Sequence, residues 1–455
     1  MSARHPARDI TIREFTGSLR TQRPLCVEPV KTRWFASLPG VAALLLAAAS
    51  PAEVTLSTGF EGGSLGECRS VAEDHLECAV QGQVDQDGRN RQASWYYFRV
   101  DGAAGRPVRV DLTELAGEYN YQPNKGAISD ATPPWVCADG KEWTPLSTIE
   151  YRADPPRLTL RLPPGDRPLW VAHVPPYTTA DLDRLLSEIG GHPFVAREVI
   201  GKTVEGRDLL LLTITDPSVP DDRKIAVWLM FRQHAWEAGT SWVAEGALRD
   251  LVRGARAAQL RRLVFKILPM CDPDGVAAGR VRFNEHGYDL NRNWDHITVE
   301  KMPEIAAQRK AVLDWLERGR KVDFFLTVHT TETAEYIEGP PKASAMAVEL
   351  MSRFNHVLQQ STSFAPTRRP SLATESTTPG RPGRMTVNQF LGSEKNLPAF
   401  LMELAIGRSL KLGRHPTVQD RKQFGGELVG AIARSVRRPT SRGSVALSGP
   451  LYAGE

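Results

Sequence analysis

Lys224-Ile-Ala-Val-Trp-Leu-Met-Phe231 runs directly into Arg232-Gln-His-Ala-Trp-Glu-Ala-Gly-Thr240, and that junction decides how the chain reads. The first stretch is apolar beyond Lys224 and holds β-branched and aromatic residues, the composition of a strand buried on both faces. Ser241-Trp-Val-Ala-Glu-Gly-Ala-Leu-Arg-Asp-Leu251, which follows, reads as helix. His234 and Glu237 are thereby placed in a turn at the carboxyl end of a strand, where open α/β sheets collect their ligands. An imidazole and a carboxylate three residues apart can reach one ion from such a turn. Both are ordinary zinc donors, and a catalytic zinc usually takes three protein groups. Alone, His-x-x-Glu recurs by chance, and it is not the helical His-Glu-x-x-His pattern. A third donor has to come from elsewhere.

The same alternation continues outward. A helix is expected from Tyr177 to Ile189, where Thr179 can act as cap and Leu182, Leu185, Leu186 and Ile189 share one face. Strands are expected at 208–214, 225–231, 263–268, 322–328 and 399–404. Helices are expected at 240–252, 304–318, 343–359 and 417–434. Strand and helix in turn predict an α/β fold, a mostly parallel mixed sheet with helices on both faces. Ser361–Arg384, dense in Ser, Thr, Pro and Arg, reads as a long loop. Ahead of all this, alternating runs such as Pro107-Val-Arg-Val-Asp-Leu112 and Arg157-Leu-Thr-Leu-Arg-Leu162 predict a small all-β sandwich. A loop-rich insert from Tyr119 to Trp143 carries aromatics that fit either a contact with the following domain or a local surface cluster.

With 41% hydrophobic and 24% charged residues, the 455-residue chain can build more than one sizeable core. The division expected is a leader over 1–52, the β-sandwich over 53–175, the α/β domain over 176–436 and a disordered tail over 437–455. Lys31-Thr-Arg-Trp34, the apolar run from Phe35 to Ala49 and the small residues Ser50-Pro-Ala52 read as an export signal. A periplasmic or secreted location is therefore expected, with an uncleaved, membrane-anchoring leader as the alternative. Pro39 and Gly40 interrupt a run already short for a bilayer, so no stable membrane span is expected once the leader is cleaved. Of 57 basic and 53 acidic residues, seven and three fall within 1–52, which leaves 50 of each. That balance gives no support to a nucleic-acid partner. Cys68, Cys78, Cys137 and Cys271 lie beyond the leader, an even number for an oxidising compartment. Cys68 and Cys78 are near enough to bridge a hairpin, and Cys137 with Cys271 would be the remaining pair.

Val322-Asp-Phe-Phe-Leu-Thr-Val328 ends in His329 and repeats the geometry of His234 in a second crossover unit. Two such strand ends side by side at a switch point could hold one ion between them. A strand-end histidine bonded to a neighbour is the alternative. Glu403 lies in Phe400-Leu-Met-Glu-Leu-Ala-Ile406, a strand that reads buried on both faces, where a carboxylate is costly unless paired or used. Burial raises its pKa and a nearby cation lowers it, the balance required of a base that deprotonates water. An acid paired with a buried arginine is the alternative. Arg282 could face a developing oxyanion, and Asn291 with Arg292 is a donor-rich pair suited to a carboxylate.

As an ordered set these residues resemble the zinc carboxypeptidase family. His234 and Glu237, Asp272-Pro-Asp-Gly275, Arg282, Asn291-Arg292, His329 and Glu403 follow the family's order across roughly 177–435. Trp95-Tyr-Tyr-Phe-Arg-Val100, Tyr119-Asn-Tyr121, Pro176-Tyr-Thr-Thr-Ala-Asp-Leu182 and Pro269–Gly275 are similar to landmarks of the cytosolic carboxypeptidase branch, which carries a β-domain in front of the catalytic one. The resemblance implies one Zn2+ per chain, held by His234, Glu237 and His329 with water as fourth ligand, in a catalytic domain over 176–436. It implies Glu403 as the general base that takes the water's proton and passes it to the leaving amine, with Arg282 stabilising the oxyanion. Asn291 and Arg292 would grip the terminal carboxylate of a peptide or protein substrate, making the chain a metallocarboxypeptidase. The alternatives are a zinc amidase acting on cell-wall peptides or acyl-amino acids, and a non-catalytic binding protein on the same fold.

Two positions depart from the pattern. Asp272 stands where the family has Asn. The tyrosine that better-known members place about twenty residues before the general base has no match in Pro379-Gly-Arg-Pro-Gly-Arg-Met385. By likeness to the Gly- and Arg-containing stretch with which the cytosolic branch serves acidic side chains, Arg384 is implied as a specificity residue.

Overall fold

Period-two patterning organises the first part of the chain. The computed structural model describes residues 53–103, 105–119, 121–375 and 383–436; the leader expected over 1–52 and the tail expected over 437–455 lie outside the described residues. Twelve described strands precede the first helix. They are β1 (Thr55–Ser57), β2 (Cys68–Ala72), β3 (His75–Ala79), β4 (Tyr97–Asp101), β5 (Val108–Thr113) and β6 (Gly117–Tyr119), followed by β7 (Gln122–Asn124), β8 (Trp135–Cys137), β9 (Thr144–Pro145), β10 (Ile149–Ala153), β11 (Pro156–Leu162) and β12 (Leu169–Ala172). Two five-stranded sheets result, in the orders β1-β4-β12-β8-β9 and β10-β11-β5-β3-β2, with β6 and β7 as a separate hairpin. Phe98, Val100 and Val171 of the first sheet meet Val110, Leu112, Leu158 and Leu160 of the second in one buried cluster. This is the sandwich that the alternation predicts.

Asp111 lies between Val110 and Leu112 and so points to the other face of β5, yet it is fully buried. Arg109 and Arg157 each approach it to 3.0 Å, as does His75, and the Thr159 hydroxyl donates at 2.6 Å. Burial alone would raise its pKa. Hydrogen bonds from Arg109, Thr159 and His75 outweigh that and bring it from 3.8 to about 2. A depressed carboxylate stabilises the fold above its unfolded pKa and loses that contribution as pH falls through the folded one. The sandwich should therefore lose about 2 kcal/mol between pH 5 and pH 2 through this group. Urea midpoints across that range check it: Asp111→Asn should flatten the acid slope, and parallel slopes for both proteins would refute the account.

Cys68 and Cys78 face each other across β2 and β3 and form a disulfide. The second expected pair does not form. Cys137 on β8 and Cys271 after the α/β strand at 263–268 are both buried and free. Cys271 packs in a core cluster with Trp228 that Cys137 does not share, and the Cys137 thiol instead contacts Asp139 Oδ1 at 3.3 Å.

Apolar runs separated by amphipathic helices then build the second part. Its strands are β13 (Val195–Lys202), β14 (Asp208–Ile214), β15 (Ile225–Phe231), β16 (Leu263–Leu268), β17 (Phe324–Thr331), β18 (Tyr336–Gly339), β19 (Ser371–Leu372) and β20 (Ala399–Ala405). Its helices are α1 (Thr179–Ile189), α2 (Ala238–Leu251), α3 (Ala257–Leu260), α4 (Pro273–Ala277), α5 (Pro303–Glu317), α6 (Ala345–Ser361), α7 (Val387–Lys395) and α8 (Val418–Ser435). The strands form one sheet in the order β13-β14-β16-β15-β17-β20-β18-β19. The central four, β16-β15-β17-β20, are parallel. Antiparallel pairings flank them on both sides.

Alternate residues of β15 serve opposite faces. Val227, Leu229 and Phe231 join a core covered by α1, α2, α6 and α8. Ala226, Trp228 and Met230 join a second core beneath α5 and α7. Helix α2, which starts immediately after Glu237, is pressed against α8 through glycines. A Cβ at 246 would stand 1.9 Å from the Lys422 carbonyl oxygen, and one at 425 would stand 2.0 Å from that of Val243.

Three details differ from expectation. Thr178, not Thr179, caps α1, because its extended backbone lets it exchange bonds with Asp181 in a capping box. The strand carrying His329 runs on to Thr331. Strands β13 and β18 and helix α7 were not expected. β13 is largely exposed and bulged between Val199 and Gly201, which erases its alternation.

Candidate metal centre

Chain geometry at the end of β15 creates the site. Arg232 takes a left-handed conformation with φ of 57°, and this bends the chain out of the strand. Its buried guanidinium donates to the Ala235 carbonyl at 2.8 Å and to the Ser241 hydroxyl at 3.1 Å, bracing the turn from inside. Burial lowers its pKa to about 10, still well above neutrality. The turn places His234 at the strand end and Glu237 at the N-cap of α2. β17 is the strand hydrogen-bonded beside β15, and β20 is the one beside β17. His329 and Glu403 are direct register partners on those two strands. The sheet order diverges around β15, since β16 lies on one side and β17 on the other, which makes this crevice a switch point.

The imidazoles meet around one carboxylate. His234 Nδ1 is 2.7 Å from Glu237 Oε1, and His329 Nδ1 is 3.0 Å from Glu237 Oε2. The other ring nitrogens are held from behind. His234 Nε2 lies 3.0 Å from Asp289 Oδ1. His329 Nε2 lies 3.0 Å from Gln233 Oε1 and 3.0 Å from Thr327 Oγ1. With neutral rings, the Nε2–H groups donate to Asp289 and Gln233, so both Nδ1 lone pairs face the lone pairs of Glu237. Such an arrangement is repulsive unless protons or a cation lie between them. Two imidazoles and one carboxylate, with donor atoms all within 4.8 Å of one another, are a possible metal site that fits a divalent ion.

Electrostatics differ around the ring of donors. Burial would raise Glu237, but the two imidazoles bring it down to about 2. Burial and Arg282 oppose the proton on His234, yet Glu237 and Asp289 prevail and raise its pKa. For His329 burial wins and lowers it. Glu403 is pushed well above the usual carboxylate range, first by burial and then by Glu237. Its Oε2 has no hydrogen-bond partner among the described residues.

Arg282 donates from Nε to Asp289 Oδ2 at 2.7 Å, so Asp289 links Arg282 to His234. Burial opposes the charge on Asp289, but Arg282 and His234 hold it ionised. The Asn291 side chain is tied into the wall: its amide nitrogen is 3.2 Å from His329 Nε2, and its oxygen accepts from Val387 N at 3.0 Å. All eight residues singled out in the sequence, from His234, Glu237 and His329 to Arg282, Asn291, Arg292, Arg384 and Glu403, line one cleft of about 490 Å³. Sequence reasoning missed Asp289, Gln233 and Arg232. Arg232 and Gln233 lie within the stretch quoted first and Asp289 stands two residues before Asn291, but only tertiary contact reveals what they hold.

Fold and donors thus define a class: an α/β protein with three convergent candidate metal donors at the switch point of its sheet. Residues 184–344 match the zinc carboxypeptidase family profile, and residues 56–173 match that of the cytosolic carboxypeptidase N-terminal domain. The first match ends before Arg384 and Glu403. Mouse cytosolic carboxypeptidase 3 is 28% identical over 59% of this chain, and human cytosolic carboxypeptidase 2 is 28% identical over 59%. The chain spans only 28% and 32% of the lengths of those two relatives. In fold, it is similar to a metallo-carboxypeptidase from Burkholderia cenocepacia, with a TM-score of 0.72, 20% identity and coverage of 85% of this chain and 99% of that one. The chain belongs to the zinc carboxypeptidase family, with the N-terminal domain of the cytosolic carboxypeptidases in front of its zinc carboxypeptidase domain.

These comparisons overturn the expected export to periplasm or medium. The front domain is of the cytosolic carboxypeptidase type, and the named relatives are cytosolic carboxypeptidases. The physical reason for the misreading is that basic residues before an Ala/Leu-rich run satisfy a signal by composition alone, whatever that run does in the protein. Among the described residues, no helix is long and apolar enough to cross a membrane.

Proposed function

We propose that the chain is a zinc-dependent metallocarboxypeptidase that hydrolyses the last peptide bond of a peptide or protein. The observation that carries this reading is the gathering, in one cleft, of three convergent donors and, in register beside one of them, a carboxylate whose Oε2 has no partner among the described residues. In this reading residues 53–175 are a β-domain and 176–436 the catalytic domain. His234, Glu237 and His329 would hold the zinc, which when bound polarises a peptide carbonyl and makes water a nucleophile at neutral pH. Glu403 takes the proton of the attacking water and returns it to the leaving amine. Its raised pKa suits both halves of that exchange. Arg282, fixed by Asp289, faces the oxygen on which charge develops. Arg292 binds the terminal carboxylate from a wall that Asn291 keeps in place, and Arg384 contacts the terminal side chain.

Carboxylate recognition gives the test. A peptide with a free C-terminus should lose one residue at a time, and its C-terminal amide should react about 100-fold more slowly, the cost of a charge-assisted contact of about 3 kcal/mol. A chelator should stop both reactions. Internal cleavage, or equal rates for acid and amide, would reject the exopeptidase reading and leave the amidase alternative.

A further inference from the structure

The β-domain supplies part of the cleft wall from two segments, 91–94 and 119–127. Gln92, Asn124 and Tyr119 belong to it, and all three line the same cavity as the metal donors. Tyr119 ends β6 and remains 38% exposed. Its ring lies 5.6 Å from the Arg282 guanidinium carbon, and its hydroxyl oxygen accepts from Arg292 Nη2 at 3.3 Å. One phenol thus touches both guanidiniums of the proposed substrate site.

The hairpin that presents it is held firmly. Glu118 N donates to the Arg91 carbonyl at 3.0 Å, Gln92 Nε2 donates to the Glu118 carbonyl at 3.2 Å, and Tyr121 N donates to Asn90 Oδ1 at 2.7 Å. The backbone at Gly117 runs so close to its neighbour that a Cβ there would stand 1.9 Å from the Arg91 oxygen. The same domain also fixes Arg282 from behind. Gln83 Oε1 accepts from the backbone N–H groups of Arg282 at 2.7 Å and Phe283 at 2.9 Å.

A phenol oxygen that already accepts from a guanidinium still has its own O–H to donate. With two guanidiniums beside it, the acceptor that this O–H best serves is an anion bound by the same arginines. We propose that Tyr119 is a substrate-binding residue, donating to the terminal carboxylate held by Arg292, and that the β-domain is thereby part of the substrate site. The inference rests on the carboxypeptidase reading for the identity of that carboxylate.

Tyr119→Phe keeps the ring over Arg282 and removes only the O–H. In the full chain loaded with zinc, it should raise KM for a free-acid peptide about tenfold, leave kcat within about twofold, and leave the C-terminal amide unaffected. Titration of N-acetylglycine and N-acetylglycinamide, followed by NMR, gives a readout that does not need turnover. The acid should bind about tenfold more weakly to the variant, and the amide equally to both proteins. Unchanged KM and unchanged acid binding in Tyr119→Phe would overturn the proposal, as would an effect seen only in Tyr119→Ala, which loses the ring as well. A wild-type chain that cleaves no peptide, yet binds the acid through Tyr119, would reject the peptidase reading and keep this one. A wild type that neither cleaves peptides nor binds the acid would reject both.

Discussion

Glu403→Gln is expected to lower kcat about 1,000-fold while zinc stays near one ion per chain, since a positioned general base contributes about 10²–10⁴-fold. The substitution keeps the size and shape of the side chain and removes only its ability to take a proton. Glu403 sits in register beside His329 on the neighbouring strand, yet it is not among the three convergent donors. Metal binding should therefore survive. The pH profile supplies a second readout. Burial and Glu237 raise the Glu403 pKa above the ordinary carboxylate range. A bound zinc offsets part of that rise, and a base acts only when unprotonated, so kcat/KM should climb with pH through the Glu403 pKa of the zinc-loaded site and flatten above it. In the Gln variant that acidic limb should disappear from the residual rate. Full activity in Glu403→Gln would remove it as the base.

The second large effect concerns the donors. His329→Ala is expected to weaken zinc binding about 1,000-fold, the share of one ligand in a site of this kind. Asp289→Asn should weaken it by a smaller step of about 10–100-fold, because among the three donors it reaches only His234, and there only the nitrogen far from Glu237. Competition with a chromogenic chelator measures both. A thermal melt of each metal-free variant separates metal loss from unfolding. Undiminished zinc in His329→Ala would exclude it as a ligand, and equal losses in the two variants would exclude the near-and-far arrangement of the rings.

Legibility in the sequence followed burial. β15, β16, β17 and β20 are buried along nearly their whole length, and each was readable as a mostly apolar run, broken only by single polar residues such as Lys266 in β16 and Glu403 in β20. β13, exposed over much of its length, and β18, only four residues long, left no such trace. Helix α7 follows a Pro- and Gly-rich stretch that reads as loop. Its one local signal is the capping box between Thr386 and Gln389. The export reading failed because composition near a chain start is not a structural constraint.

What the sequence by itself determined is the set of chemical groups and where along the chain each would be offered. His234 comes just past a strand end, His329 near the end of another strand, Glu237 at a helix start, and Glu403 inside a mostly apolar strand. Only the tertiary structure decided that β15, β17 and β20 lie side by side, which turns groups far apart in the chain into neighbours a few ångströms apart. It alone placed Asp289 and Gln233 behind the rings and carried Tyr119 from the β-domain to Arg282 and Arg292. The reason is physical. Strand and helix propensities act over a few residues, whereas strand order and domain packing depend on contacts between segments that share no local pattern.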